Sequence, residues 1–214
     1  MTVPGEIPVM ILENATLFPQ TLLPLRIFEL RYRRMLADVL ASHRMFCVAM
    51  RKPGSKRESP SAVAGLGLIR AAVDHQDGTS HLILQGLTRV QLGAVVRYRP
   101  YRVQAMKPMP SLPCDTTAAG ALVLQVRDLL TQRFKLDATV ADASPVLSAK
   151  EILTHLDKLT DAEQVADLIS CTILQEADER QAIMEASNVE TRLQRLIRFL
   201  MADIQRLRQI KPSF

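Results

Sequence analysis

Short runs of residues that are either apolar throughout or alternately apolar and polar fill the first half of the chain. Six of them are rich in Val, Ile and Leu: Ile7–Leu12, Phe46–Met50, Leu66–Val73, Leu82–Gln85, Arg89–Val95 and Tyr101–Ala105. Such runs predict β-strands. Asp77-Gly78, a strong hairpin signal, lies between two of them. Further glycines within or beside the runs suggest bulges or bends, so we predict a small barrel or a strongly curled sheet.

One amphipathic helix is predicted within this half. Phe28, Tyr32, Met35, Leu36 and Val39 follow the spacing of an apolar helical stripe, and charged residues fill most of the opposite face. We therefore predict a helix over residues 28–41 that covers one opening or face of the sheet, with Phe28 and Tyr32 buried.

A polar loop and a group of prolines mark the next boundaries. The segment 51–61 holds two prolines and four basic residues, which predicts a surface loop between strands, or else a contact for a partner. Pro108, Pro110 and Pro113 interrupt both strand and helix patterns. We therefore predict two subdomains, a β-barrel over residues 1–110 and an α-helical bundle over residues 111–214.

The second half has helical periodicity. An apolar stripe that begins at Leu122 predicts a helix over residues 118–134. Three S/T-x-x-E sequences predict helix starts with capping boxes: Ser148 with Glu151, Thr160 with Glu163, and Ser187 with Glu190. Leu147 and Ile152 have the spacing of a hydrophobic staple, and Asp178 is predicted as an N-cap.

The last predicted helix has the strongest periodic pattern. Its apolar positions form a seam with spacings of three and four residues: Val189, Leu193, Leu196, Leu200, Ile204 and Leu207. Such a seam predicts one stripe of the bundle core. The alternative is that the seam also pairs with a second copy of the chain to form a homodimer.

Composition is that of an ordinary globular protein. Of 214 residues, 48% are hydrophobic and 23% are charged, which excludes a disordered chain, a collagen-like chain and a disulfide scaffold. The N-terminus lacks the basic segment of a signal peptide, and no uncharged apolar stretch of ~18 residues occurs. Three scattered cysteines form no CxxC pair, so we predict a reduced, cytoplasmic protein.

Charge is distributed unevenly. Residues 1–110 hold 15 Lys and Arg against 7 Asp and Glu, a net charge of +8, whereas residues 111–214 hold 12 against 15, a net charge of −3. A basic first half could attract phosphate or an acidic partner. Because the basic residues are scattered, a solvated surface is the simpler interpretation.

Motifs that would indicate an enzyme are missing from the sequence. There is no GxxxxGK[ST], no GxGxxG after a strand, no GxSxG and no HExxH. His75 and His81 flank the Asp77-Gly78 turn and could face each other across a hairpin, but histidines near turns are usually only solvated. We therefore predict no catalytic residue, no metal site and no cofactor.

The run LFPQTLLPLRIFELRYRRM, from Leu17 to Met35, resembles the opening motif of the Lon protease N-terminal domain. It is most similar to stand-alone Lon substrate-binding domain proteins, although Gln20 stands where that family usually has glycine. The resemblance continues through GLTRVQL at 86–92, VADLI at 165–169 and the residues around Val189 and Arg192. It does not extend to an ATPase module or to a Ser–Lys protease dyad.

The resemblance implies an α+β fold, in which a PUA-like β-barrel with one helix precedes an all-α bundle that ends in a long helix. It also implies a non-catalytic module that binds unfolded polypeptide or a protein partner. The alternative is a PUA-like RNA-binding protein, because such barrels often bind RNA and the first half is basic. Neither interpretation calls for a membrane.

The Leu17–Tyr32 region and Arg89 have two interpretations. In the structural one, the prolines shape an edge strand and a turn, while Arg26, Glu29, Arg31 and Arg89 form an ion-pair network that holds the helix to the barrel. In the other, the region forms a groove whose apolar residues bind exposed hydrophobic segments and whose arginines line the rim. The candidate binding residues are Phe18, Pro19, Leu22, Leu23, Pro24, Arg26, Glu29, Arg31, Tyr32 and Arg89.

Overall fold

The computed structural model describes residues 3–55, 58–113, 115–136 and 148–210. The strands are β1 (Glu6–Leu12), β2 (Leu22–Ile27), β3 (Met45–Met50), β4 (Val63–Asp74), β5 (Ser80–Arg97) and β6 (Val103–Pro108). The helices are α1 (Leu30–Leu40), α2 (Thr116–Leu136), α3 (Ala149–Leu156), α4 (Ala162–Thr172), α5 (Ala177–Glu185) and α6 (Val189–Ile210). A sheet followed by helices confirms the predicted α+β class. No helix within the described residues has both the length and the apolar composition needed to cross a bilayer.

The chain forms two compact units. The first contains the described residues up to Pro110 together with Gln175–Glu185, and the second contains Ser111–Leu174 and the chain from Ala186 onwards. The segment 175–185, which the sequence pattern assigns to the helical subdomain, therefore belongs with the barrel.

The six strands form a barrel. Their order is β2-β5-β4-β3-β1-β6, and β6 also pairs with β5, which closes the sheet. The β1–β3 pair is parallel, whereas the other pairs are antiparallel. The two strands predicted at 82–85 and 89–95 are one 18-residue strand, whose first part pairs with β2 and whose last part pairs with β6. Among the described strands, β2 pairs only with β5, so Pro24 lies in an edge strand, where a missing N–H is tolerated.

The segment before β2 packs closely against the barrel wall. Leu17 and Phe18 are fully buried. A Cβ added at Gly65 or Gly86 would collide with the carbonyl oxygen of Leu17 or Phe18, so these two positions require glycine for close approach. The backbone N–H of Gln20 donates to the Gly86 carbonyl at 2.8 Å, which fixes the turn on β5.

Helix α1 begins two residues later than the pattern predicts. Its stripe of Tyr32, Met35, Leu36 and Val39 is buried, as expected. Phe28, however, is 62% exposed, so the prediction that it is buried was wrong. The reason is that β2 ends at Ile27 and α1 begins at Leu30, which leaves Phe28 in the connection between them.

Long-range hydrogen bonds join helix α5 to the rest of the first unit. The Gln181 amide donates to the Val63 carbonyl at 3.0 Å, and Arg180 donates to the Asn14 carbonyl at 2.9 Å. The buried Arg89 guanidinium on β5 donates to the Met184 carbonyl at 2.9 Å. These bonds explain why the segment separates from the helices that flank it in sequence.

The helical unit is built around α2 and α6. The α6 seam predicted from periodicity is buried from Val189 to Ile204, and Leu207 is half-buried. Buried charges join the helices: Arg192 pairs with Glu163 and Asp167. Because the seam packs within this chain, its apolar positions are covered without a second copy.

One of the three predicted capping boxes is confirmed. Ser148 and Glu151 exchange both hydrogen bonds at the start of α3. Leu147, its predicted staple partner, lies outside the described residues. The box at Thr160 was wrong, because Asp161 is the N-cap of α4 and accepts the Glu163 N–H at 2.9 Å.

The predicted starts of the last two helices were also wrong. Helix α6 is capped by Asn188, whose side-chain oxygen accepts the Thr191 N–H at 2.7 Å, rather than by Ser187. Its Glu190 accepts the Asp115 N–H at 3.1 Å. Asp178 lies in the first turn of α5 and is not its N-cap. In each case a neighbouring Asp, Asn or Glu competes for the cap, which the spacing rule alone does not resolve.

Candidate functional site

A groove of about 490 Å³ lies on the outer surface of the barrel, across the β2–β5–β4 ribbon. Most of the residues that line it are apolar. The lining consists of Pro24, Leu25, Arg26, Ala71, Val73, His81, Leu82 and Ile83. All of these residues belong to the first unit.

Strand register places the groove residues in cross-strand rows. In the central row, Pro24 lies opposite Ile83 and Ile83 lies opposite Ala71, so three apolar side chains are adjacent. Because side chains alternate along a strand, Leu22 and Arg26 share the outward face with Pro24. These rows bring together residues as distant in sequence as Pro24 and Ile83, which are 59 positions apart.

Large apolar side chains beside the central row are accessible to solvent. Leu22 on β2 is 62% exposed and Val73 on β4 is 60% exposed. Phe28 and Leu30, which follow β2 in sequence, are exposed as well. Contiguous exposed apolar side chains, such as the row of Pro24, Ile83 and Ala71, mark ligand-binding grooves and protein-interaction sites in soluble domains.

Charged groups flank the apolar row. Arg26 makes a 4.0 Å ion pair with Asp77, and both side chains are 60% exposed. Two hydrogen bonds from Thr79 lower the pKa of Asp77, which stays ionised at neutral pH. Arg70, on β4, donates to the neutral amide oxygen of Gln85 at 2.5 Å.

The two histidines of the hairpin meet as the sequence predicts. Nε2 of His75 lies 2.6 Å from Nδ1 of His81, and the two rings are nearly perpendicular. His81 also lines the groove. Among the described residues, no group of three or more His, Cys, Asp or Glu side chains is placed to hold a metal ion.

The candidate binding residues fall into three groups. Leu22, Pro24 and Arg26 lie on the outward face at the groove, whereas the neighbouring Leu23 is half-buried. The side chains of three others are buried: Phe18, Tyr32 and Arg89. The partly buried remainder lies beside these two groups, in the turn before β2 and at the start of α1: Pro19, Glu29 and Arg31.

The predicted four-residue ion-pair network is divided in the structure. Arg31 pairs with Glu29 and with Glu58, which comes from the loop after β3. Arg26 pairs with Asp77 instead, and Arg89 extends to α5. The division follows from the pleat, because Arg26 faces outward on β2 while Arg89 is buried on β5.

The Arg31 contacts fix the start of α1. Its hydrogen bonds to Glu58 raise the pKa of Arg31, and its guanidinium lies 4.4 Å from the centre of the Tyr32 ring. The Tyr32 hydroxyl accepts the Ile11 N–H at 3.1 Å, and burial raises the pKa of Tyr32. These residues position the connection between β2 and α1 and do not line the groove.

A second exposed surface lies at the turn between β5 and β6 and was missed in the sequence. Tyr98 is 67% exposed and Val96 is 50% exposed. Arg102 stacks 5.0 Å from the Tyr98 ring, and Arg97 lies 4.9 Å from the Tyr101 ring. The signal was available, because arginine and tyrosine alternate in VRYRPYR at 96–102.

The sequence matches the family model described as "ATP-dependent protease La (LON) substrate-binding domain" over residues 6–202. Lon protease 2 of Herpetosiphon aurantiacus is 29% identical over 93% of this chain, and Lon protease of Desulfosudis oleivorans is 20% identical over 96%. The chain spans about a quarter of the length of these curated relatives.

Two solved structures share the fold. The N-terminal domain of Mycobacterium avium complex Lon protease superposes with a TM-score of 0.72 at 20% identity, over 92% of this chain and 98% of that one. The Lon N-terminal domain protein from Xanthomonas campestris gives a TM-score of 0.62 at 20% identity, over 91% of this chain and 98% of that one.

Proposed function

Because this chain belongs to the LON substrate-binding domain family, we propose that it is a non-catalytic module that binds unfolded polypeptide in the groove across β2, β5 and β4. The observation that carries this proposal is the exposed apolar row of Pro24, Ile83 and Ala71, with Leu22 and Val73 beside it. A folded protein covers most of its own apolar side chains, so such a row selects segments that are exposed only when a partner unfolds.

The size of the groove sets the strength of binding. Covering about 200 Å² of apolar surface contributes roughly 5 kcal/mol at ~25 cal/mol per Å². Association and ordering of a flexible segment oppose this by a similar amount. Even without that opposing cost, roughly 5 kcal/mol corresponds to a dissociation constant of about 0.2 mM. We therefore expect weak binding, with dissociation constants of roughly 0.2 mM or higher, that moderate salt changes little.

The module acts by binding alone. The groove contains no nucleophile beside a general base, and the perturbed groups of the first unit serve structure: burial raises the pKa of the Cys47 thiol, which keeps it protonated inside β3. In the curated relatives, the matched region accounts for about a quarter of the chain. Any peptidase activity would have to come from elsewhere.

Fluorescence anisotropy with labelled, carboxymethylated lactalbumin, a permanently unfolded chain, tests the proposal. We expect Val73→Glu to weaken binding at least fivefold, because it puts a charge beside the apolar row. Leu124→Glu is the matched control, since Leu124 is 62% exposed, close to the 60% of Val73, but lies on α2 in the other unit. Equal losses in both variants, or no loss in either, would contradict the groove assignment.

Single-stranded RNA is the second candidate ligand, and the turn at 96–102 favours it. Exposed Tyr98 and the surrounding arginines provide a stacking surface and positive charge, which single-stranded nucleic acids require. Binding at this turn should fall steeply with salt. A labelled oligoribonucleotide whose affinity drops with Tyr98→Ala, and stays unchanged with Val73→Glu, would establish it.

A further inference from the structure

Resting on the proposed function, we infer that the groove prefers apolar segments that carry an acidic residue on each side. Arg26 lines the groove, and Arg70 is exposed on β4 beside the apolar row, where it bonds Gln85. They lie diagonally opposite each other, one on each side of the apolar row. An extended polypeptide crossing the row would therefore pass one arginine before its apolar residues and the other after them.

The spacing of the two corners follows from strand register. Arg26 lies opposite His81, whereas Arg70 lies at the bulge between Ile69 and Ala71 and bonds Gln85, the cross-strand partner of Leu22. Leu22 and Arg26 are four residues apart, roughly 13 Å at ~3.3 Å per residue. Strands β2 and β4 flank β5, so they lie roughly 10 Å apart. The diagonal is therefore about 16 Å, which an extended chain spans in about five residues.

Both arginines keep hydrogen-bonding capacity for a ligand. A guanidinium has five N–H donors and binds a carboxylate through two of them. Arg70 donates from Nε to a neutral amide, which leaves its charge uncompensated by that contact. The Arg26–Asp77 pair is long at 4.0 Å, and Asp77 is already held by Thr79.

The central row contributes no competing polar contact. Pro24, Ile83 and Ala71 have no hydrogen-bonding side chain, so polar recognition is confined to the two ends. Asp74 and Asp77 lie at the Arg26 end and reduce its attraction for anions, so we expect the Arg70 corner to contribute more. Lysine at the flanking positions would face a like charge and be disfavoured.

Three labelled peptides with one apolar core, Val-Leu-Ile-Leu, test this preference. The residue on each side of the core is Asp in the first peptide, Asn in the second and Lys in the third. At low salt we expect the Asp peptide to bind roughly four to nine times more tightly than the Asn peptide, because each of the two exposed ion pairs contributes a factor of about two to three. At about 0.5 M salt the affinities should converge.

Variants locate the effect. Arg70→Gln and Arg26→Gln should each lower the ratio of the Asp peptide's affinity to the Asn peptide's affinity. Arg208→Gln is the control, because Arg208 is exposed on α6 in the other unit. Equal binding of all three peptides at low salt would overturn the inference and leave the proposed function standing. Binding by none of them would overturn both, and a preference that survives both arginine variants would overturn the inference alone.

Discussion

Gln20 adopts a left-handed backbone conformation, with φ at 63°, in the turn that carries the chain from Phe18 into β2. The resemblance had indicated this position, because the family usually has glycine there. For a residue with a Cβ, this conformation costs roughly 1–2 kcal/mol. The turn nevertheless forms, since the Gln20 N–H donates to Gly86 and the Thr21 hydroxyl donates to the Phe18 carbonyl at 2.8 Å.

Gln20→Gly should therefore stabilise the protein slightly. Glycine removes the backbone strain but has more conformational freedom in the unfolded chain, and the net gain in the free energy of unfolding is about 0.5 kcal/mol. For a chain of this size, that gain raises the melting temperature by about 1–2 °C. Gln20→Ala retains the strain and should give no gain. Differential scanning calorimetry of the two variants distinguishes them, and an equal rise in both would show that strain at this residue is unimportant.

His43 gives a pH dependence with a defined sign. Its Nδ1 accepts the Met45 N–H at 3.1 Å, and burial lowers the pKa of His43 below its ordinary value of 6.5. The unfolded state therefore takes up the proton first as the pH falls, so the stabilisation is complete above pH 6.5 and is lost below it. His43→Asn keeps an acceptor but does not titrate.

We expect the free energy of unfolding to fall more between pH 7 and pH 5 in the native chain than in His43→Asn. Urea titrations at several pH values measure this difference. The other three histidines are common to both proteins and cancel in the comparison. Parallel pH profiles would contradict the assignment.

At the scale of elements, the contact between the Leu17–Phe18 segment and the β4–β5 wall fixes where β2 begins. Gly86→Ala would place a methyl group against the Phe18 carbonyl. We expect a loss of about 1–3 kcal/mol in stability, as for other overpacked sites. Gly5→Ala is the matched control in the same unit, because nothing lies within 4 Å of a Cβ there. Equal melting temperatures for the two variants would contradict this packing.

The position of helix α5 depends on the buried side chain of Gln181. Its amide donates to the Val63 carbonyl, and it donates to the Glu185 carboxylate at 2.8 Å. Gln181→Glu keeps the shape but sets a carboxylate against two acceptors, so we expect a loss of about 2–3 kcal/mol in stability. Gln181→Met removes the bonds without adding charge and should lose less. Chemical denaturation orders the variants, and a Met variant less stable than the Glu variant would contradict this explanation.

The elements differ in how far sequence could predict them. Periodicity located β1, α1 and α6 because their apolar faces repeat over several residues. It missed β2, since Pro24 interrupts an ordinary strand pattern, and it separated β5 into two strands at Gly86. The packing of α5 was not predictable, because a local pattern indicates a helix but not the surface that the helix covers.

The groove was only partly predictable for the same reason. Leu22, Pro24 and Arg26 stood out within the Leu17–Met35 motif. The pairing register of β4 and β5 brings the other lining residues beside them: Ala71, Val73, His81 and Ile83. That register depends on the bulge at Arg70, which the sequence pattern does not predict. Arg89 was a candidate binding residue because it is an arginine. Its side chain is buried and donates to the Met184 carbonyl, so its role is structural.

At the scale of the whole molecule, both candidate binding surfaces lie in the first unit. The groove and the turn at 96–102 belong to the half of the chain with a net charge of +8. In the helical unit, some of the charges are held in buried or partly buried pairs, such as Arg133 with Asp203 at 2.6 Å. We therefore propose that recognition takes place on the barrel surface.

Backbone amide NMR of the isotope-labelled protein, titrated with the Asp-flanked peptide, tests the central claim most directly. The account predicts that shifts concentrate on the outward residues of β2, β4 and β5, around Pro24, Ala71 and Ile83, which frame the groove. Shifts concentrated at Arg97–Arg102, or on the helices α2 and α6, would contradict it.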